Sequence, residues 1–213
     1  MKDFKNLILL ACISLTTQSI FGYTLKEGNV TALVGPFIYK SNFATTETGG
    51  NSPYLGDVGL VVQGDVSDHS ALEIGLFHMN KIYLRTSGTQ SITEQTQLFH
   101  VTMGYRYYFN PYLSLATAFY SAYSMADPQI LHNDFAPGAE LDTSARDKTE
   151  YGFDFSLETE LWSQQNVAVI ADARYALSVT NKANEKGDHY GLFLAVKFLV
   201  QEKPVVHRDP PKP

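Results

Sequence analysis

The sequence predicts an all-β protein: an eight-stranded antiparallel up-and-down transmembrane β-barrel with short periplasmic turns and longer extracellular loops. Three observations carry that prediction. Apolar and polar residues alternate with period two over long stretches, as in YGFDFSLETELW (residues 151–162), while period 3.6 is scarcely visible. The connections between the alternating stretches are short and long in strict turn, the pattern of a barrel with tight turns on one side of a membrane and loops on the other. Beyond the N-terminal segment, no run approaches the ~18 consecutive apolar residues of a membrane helix, which leaves strands as the way to cross, and only a closed barrel satisfies strand backbones in lipid.

The chain begins MKDFKNLILLACISLTTQSIFG: two lysines, an apolar run, then a small residue at Gly22. This is the form of a secretory signal peptide over residues 1–22. Cys12 is the only cysteine and lies inside it. Cleavage there would leave too short an apolar segment, so lipidation is not expected and the exported chain relies on no disulfide. Loss of Lys2, Lys5 and Asp3 with the signal takes the net charge from −6 to −7. That acidity argues against nucleic-acid binding, which needs a basic footprint.

Residues 23–200 form the predicted barrel, with strands at 29–40, 54–66, 71–84, 96–109, 113–124, 149–162, 167–178 and 189–200. Each exceeds the ~9–11 residues of a tilted crossing. Strand one contains Pro36, which has no N–H for a ladder and is expected at a bulge. Strands two and three place Asp57, Asp65 and Glu73 on the polar parity. In strand four, Phe99, Val101, Met103, Tyr105, Tyr107 and Phe109 share one parity, and His100, Thr102, Gly104 and Arg106 the other. Strand six sets Tyr151, Phe153, Phe155, Leu157 and Leu161 against Glu150, Asp154, Glu158 and Glu160. Strand seven sets Val167, Val169, Ala171, Ala173, Tyr175 and Leu177 against Ala168, Ile170, Asp172, Arg174, Ala176 and Ser178. Small residues mixed with charges of both signs suit a narrow lumen, which eight strands leave just wide enough for side chains to fill.

Short turns fall at Ser67–Ser70, Asn110–Tyr112 and Ser163–Asn166, and long connections at 41–53, 80–95, 125–148 and 179–188. The long ones are rich in Thr, Ser, Gly, Asn, Pro and acids, as in SNFATTETGGNSP and MADPQILHNDFAPGAELDTSARDK, and read as solvated loops. Tyr105, Tyr107, Tyr108, Phe109 and Tyr112 crowd the second short turn and Trp162 stands at the third, where headgroup-level aromatics are expected.

A charged lumen makes a demand. Isolated buried charges are costly, so Asp57, Asp65, Glu73, Asp154, Glu158, Glu160 and Asp172 need Arg106, Arg174, Lys197 or trapped water. Any register of the strand six to seven hairpin that keeps parity brings Arg174 near Asp154 or Glu158. The expectation is a structural salt-bridge network.

The end of the chain reads HYGLFLAVKFLVQEKPVVHRDPPKP, with Tyr190, Leu192, Leu194, Val196 and Phe198 alternating towards an aromatic. This resembles the closing strand of OmpA-type eight-stranded outer-membrane barrels, whose last strand carries a β-signal read by the barrel-assembly machinery. In that family a proline-rich linker and a peptidoglycan-binding domain follow. Here residues 201–213 form a linker-like proline-rich tail that stops at Pro213, and Leu199 and Val200 run past the aromatic that ends the family's signal. The resemblance implies the outer membrane of a Gram-negative-type cell, both termini periplasmic, contact with outer-membrane lipid and with the assembly machinery, and a monomer.

Three functions compete. The first is a non-enzymatic outer-membrane barrel, structural, surface-interacting or a minor pore, with its loops as the working surface. The second is an outer-membrane lipid-modifying enzyme using His132, Asp134 and Ser144, or His78 and His189; a nucleophile needs its base within hydrogen-bond reach, and no local motif supplies that. The third is a soluble lipocalin-like carrier, which would turn the apolar parity inward but lacks the early Gly-x-Trp of that family. Asp127, Asp134, Glu140, Asp142 and Asp147 crowd one loop without the spacing of a calcium loop. No cofactor, metal or catalytic residue is expected.

Overall fold

Eight long strands pair edge to edge until the last meets the first. The computed structural model describes residues 25–43, 52–136, 149–164, 166–180 and 185–202. The signal segment with Cys12, the tail beyond 202, and Glu140, Asp142, Ser144 and Asp147 lie outside the described residues. The barrel strands are β1 (Val30–Ser41), β2 (Leu55–Ser67), β3 (Ser70–Ser87), β4 (Gln90–Asn110), β5 (Leu113–Ser124), β7 (Glu150–Gln164), β8 (Val167–Ser178) and β10 (His189–Gln201). All neighbours are antiparallel, and β10 returns to pair with β1, so the barrel has no open edge. Two short strands, β6 (Gln129–Asn133) and β9 (Glu185–Lys186), lie in the long connections.

The sequence places all eight barrel strands, but it ends β3 too early and begins β4 too late. The ladder of this hairpin runs unbroken from Ser70↔Tyr107 to Ser87↔Gln90. Where a loop over 80–95 is expected, two strands continue and turn at Gly88, whose φ of 61° is open to glycine at little cost. The segment's polar residues reflect its position above the apolar belt rather than a lack of strand. β6 takes the edge of β4 above the point where β5 leaves it, from Gln95↔Gln129 to Ile92↔Asn133. β9 does the same for β3 at Leu84 and Arg85. Between these, from Phe77 to Leu84, the edge of β3 is held by side chains. The Tyr39 hydroxyl accepts from Asn80 N (2.6 Å) and donates to Asp57 Oδ2 (2.6 Å), and the Ser41 hydroxyl donates to the Ile82 carbonyl.

The bulge expected at Pro36 is absent. Pro36 stands opposite Val58 in an unshifted ladder, and the β1–β10 register is the same at Val34↔Val196 and Phe37↔Phe193. The pairing with β10 lapses only at Gly35 and Pro36, so the missing N–H is absorbed without an extra residue. Gly35 makes room there, because a Cβ would fall 2.0 Å from the Leu194 carbonyl oxygen. The irregularity lies at the start of the strand instead, where Val30 faces Gln201 and Thr31 faces Leu199.

One parity of every barrel strand points into the lumen and is buried. Its middle is packed with rings: Phe37 lies 5.1 Å from both Tyr39 and Phe77, and Phe77 lies 5.4 Å from Phe193. Glycine at 59 admits the Phe77 ring, which a Cβ there would meet at 2.5 Å. At the short-turn end, Leu25 packs with Ala71 and Tyr108, and Lys26 N donates to Asp65 Oδ2 at 3.1 Å, folding the N-terminal residues across the opening.

Candidate functional site

The lumen's charged layer is built on Arg106, the largest fully buried side chain. From β4 its Nε donates to Glu73 Oε2 on β3 at 2.7 Å, Nη1 to the Ser114 hydroxyl on β5 at 2.9 Å, and Nη2 to the Ser156 hydroxyl on β7 at 2.7 Å. Glu158 and Asp172 each approach its guanidinium to 3.4 Å. Arg174 on β8 donates from Nη2 to Glu73 Oε1 at 3.1 Å, and its Nε lies 3.2 Å from Asp172 and 3.7 Å from Asp154. Its guanidinium also sits 4.7 Å from the centre of the Phe77 ring, a cation–π contact that joins the charged layer to the aromatic one. Lys197 on β10 reaches Glu158 at 3.2 Å and donates to the Tyr108 hydroxyl at 3.0 Å. Gln63 completes the group, donating to Glu158 Oε2 at 2.9 Å and accepting from Tyr108 at 3.0 Å.

Glu73, Arg106, Asp154, Glu158, Asp172, Arg174 and Lys197 therefore converge, four carboxylates against three cations. His100 lies against the fourth acid, with its Nε2 3.3 Å from Asp154 Oδ2. Arg174 is opposite Ser156 and reaches Asp154 diagonally, whereas Glu158 is shared by Arg106 and Lys197. The remaining three expected residues stand apart. Asp57 belongs to the β3 edge stitch and also touches His78 Nδ1 at 2.8 Å. Asp65 caps the N-terminal residues, and Glu160 is half-buried beside a bulge.

A second ion pair lies nearer the loop end, where Lys81 Nζ donates to Glu150 Oε1 at 2.7 Å. Tyr120 donates to the same oxygen at 2.6 Å and Tyr83 donates to Oε2. Sequence reasoning missed it because Lys81 falls where the expected strand (71–84) overlaps the expected long connection (80–95), which left its facing undecided. The alternation of Met79, Lys81 and Tyr83 along the buried parity is the signal that finds it.

On the outside, Tyr105, Tyr107, Phe109 and Tyr112 are exposed near the short turns. Tyr108 is not among them: at 4% exposure it points into the lumen, because it follows Tyr107 in a strand and must take the opposite face. Trp162 is half-buried opposite Val169, on the outer side. The shift between Glu160 and Trp162 makes this possible, since unbroken alternation from Glu158 would have turned Trp162 inward. A second ring of tyrosines, Tyr54, Tyr123, Tyr151 and Tyr175, is exposed at the loop end. Tyr123 stands opposite Phe99, eight residues along β4 from Tyr107. That is about 27 Å of strand, which a ~40° tilt reduces to roughly 20 Å, comparable to the ~25 Å apolar band of outer-membrane barrels. Between the rings, Val58, Leu60, Leu72, Ile74, Met103, Leu115, Phe153, Leu157, Leu194 and Val196 face outward. The apolar parity is thus outside, which overturns the lipocalin-like alternative.

Of the residues considered for catalysis, Ser144 lies outside the described residues, and the three histidines have the following neighbours. His132 Nε2 lies 2.8 Å from Asp134 Oδ2, and the Ser91 hydroxyl donates to the same oxygen at 3.2 Å. The His132 contact holds the exposed Asp134 carboxyl below its ordinary pKa. His78 meets Asp57, and His189 is buried edge-on to Tyr39 and His100. Among the described residues no group of three or more His, Cys, Asp or Glu is placed to hold a metal.

No family model and no curated protein matches the sequence. Solved structures do match in shape. The outer membrane protein OprG from Pseudomonas aeruginosa is 9% identical with a TM-score of 0.54, covering 86% of this chain and 100% of that one. Ail, the attachment invasion locus protein of Yersinia pestis, is 11% identical with a TM-score of 0.45, covering 81% and 100%. The outer membrane protein AlkL is 10% identical with a TM-score of 0.40, covering 89% and 98%. At these identities the likeness is one of fold, and OprG carries it. The chain has the fold of the small OmpA-like eight-stranded outer-membrane β-barrels.

Proposed function

We propose that the protein is a non-enzymatic outer-membrane barrel: a plugged, rigid scaffold that carries the β3–β4 hairpin and the long connections above the outer membrane surface. The observation that carries this reading is the pairing of an apolar outer belt with a lumen filled by Arg106, Arg174, Lys197 and their carboxylates. A belt of large exposed apolar side chains running round the barrel is unsuited to water. A lumen crossed by mutually bonded side chains disfavours bulk solute flow. The short turns then face the periplasm with both termini. The fold shared with OprG supports the same location.

A membrane fraction run unboiled and boiled tests the reading. The folded barrel migrates faster unboiled, and recovery in the soluble periplasm without such a shift would refute it. Planar-bilayer recording of the purified barrel separates plug from pore: a stable open conductance would overturn the plugged lumen. Labelling a cysteine placed at Thr89 in intact cells, against one at Asp68, reports which end faces out.

A further inference from the structure

The β3–β4 hairpin carries a cleft on its outer face, about 150 Å³ in volume, that the barrel does not need. Its walls are Asn80, Gln95, Gln97, Ala126, Asp127 and Gln129. Four carboxamides and one carboxylate therefore surround it, with no lysine or arginine and only one apolar side chain. The side chains of Gln95, Gln97, Asp127 and Gln129 hydrogen-bond to no other described residue, whereas Asn80 is tied to Asp57 at 3.1 and 3.2 Å.

The cleft is held in shape. Met125 N donates to the Gln97 carbonyl at 2.8 Å, and the Ala126 carbonyl accepts from both the Thr96 hydroxyl (3.2 Å) and the Ser124 hydroxyl (3.0 Å). β6 fixes Gln129 directly across from Gln95. The corner 125–129 is thus bonded to β4 at both ends, so the free carboxamides project from a rigid frame, which lowers the ordering cost of binding. Two residues below Gln97, about 7 Å along the strand, Phe99 and Tyr123 pair on the same outer face. The cleft stands just above the tyrosine ring of the loop end.

We infer that this cleft binds an uncharged, hydroxyl-rich saccharide. A carboxamide offers two donors and an acceptor on one plane, which matches a pair of neighbouring sugar hydroxyls. Asp127 accepts from hydroxyls as well, and without a cation in the walls it repels phosphate, sulfate and carboxylate groups. The wall chemistry leaves little for an apolar ligand. Such a saccharide has two sources: the uncharged part of the membrane's own lipopolysaccharide, or a glycan met outside the cell.

The test is a solution binding experiment on the purified, folded barrel in detergent micelles, with the unboiled gel shift verifying the fold of every variant. The probes are uncharged oligosaccharides of hexoses and N-acetylhexosamines in one arm, and dephosphorylated lipopolysaccharide core oligosaccharide in the other. Binding in either arm that shifts the carboxamide NH2 resonances of Gln95, Gln97 and Gln129 supports the inference and identifies the source. Gln97→Ala and Gln129→Ala should each weaken it about tenfold, the worth of one hydrogen bond. Asp127→Asn, which keeps the hydrogen-bonding shape and removes the charge, should change it less than about threefold. No binding in either arm, binding untouched by the two glutamine variants, or loss of binding in Asp127→Asn would each overturn it. None of these outcomes bears on the membrane scaffold, which the gel shift reports separately.

Discussion

Arg106 and Glu73 are joined at 2.7 Å with both side chains wholly out of water, on adjacent strands of a barrel whose outer face is apolar. Arg106 also bonds Ser114 and Ser156, so one guanidinium ties four consecutive strands together. Such a pair is not a net source of stability by itself, because desolvation offsets attraction, but removing one member leaves the other charge stranded. Arg106→Met takes one cation from three carboxylates at once, Glu73, Glu158 and Asp172, and leaves the layer's four acids against Arg174 and Lys197 alone. We expect a loss of about 3–5 kcal/mol in folding stability, read from denaturant unfolding in lipid vesicles by the gel shift. Adding Glu73→Gln should recover part of the loss. A change under ~1 kcal/mol would mean that water reaches the layer.

Tyr107 and Tyr108 make a matched control. Tyr108→Phe removes a hydroxyl that serves both Gln63 and Lys197, and should cost about 1–3 kcal/mol. Tyr107→Phe alters a ring on the outer face, 47% exposed, and should stay within about 0.5 kcal/mol. Equal effects would contradict the inward placement of Tyr108.

Leu194 lies on the outer face of β10, midway between Tyr190 and Phe198. If that face meets lipid, Leu194→Arg should cost about 2–4 kcal/mol when folding into vesicles is measured at equilibrium, with smaller costs towards the strand ends. A cost near zero would place the face in water.

The His132–Asp134 contact has a definite pH direction. A depressed carboxyl pKa in the folded state stabilises above the unfolded value, ~3.9 for an aspartate, and the contribution disappears as pH falls through the lowered folded value. Titration of the Asp134 side chain by carbon NMR should therefore show a midpoint below the ordinary one, and His132→Ala should return it upward. An unchanged midpoint in that variant would show that His132 is not its cause.

The strand count and the division of each strand into two faces were legible because they depend on a period of two, which each strand displays by itself. Closure and the outer face followed from the strict alternation of short and long connections. Phe153 and Asp154 need no knowledge of neighbours to be assigned to opposite faces. The charged residues of the inner layer were legible for the same reason. The approach of Arg174 to Asp154 across one hairpin was legible as well, but the longer-range partners were not, because that pairing depends on register and side-chain length: Glu158 is bonded to Arg106 on β4 and to Lys197 on β10. Tyr108 adjoins Tyr107 and Phe109 in sequence but not in space, because alternation turns it to the inner face.

By itself, then, the sequence determined which side chains of a strand share a face, since alternation is local. Tertiary structure decided the rest. The ladder of β3 and β4 continues to Gly88 because the two strands satisfy each other's backbones above the belt, although their residues there look like a loop. The cleft at Gln95, Gln97 and Gln129 exists only because β6 returns to the edge that β5 leaves. Both are contacts between distant segments, and distant contacts leave no periodic trace in a chain.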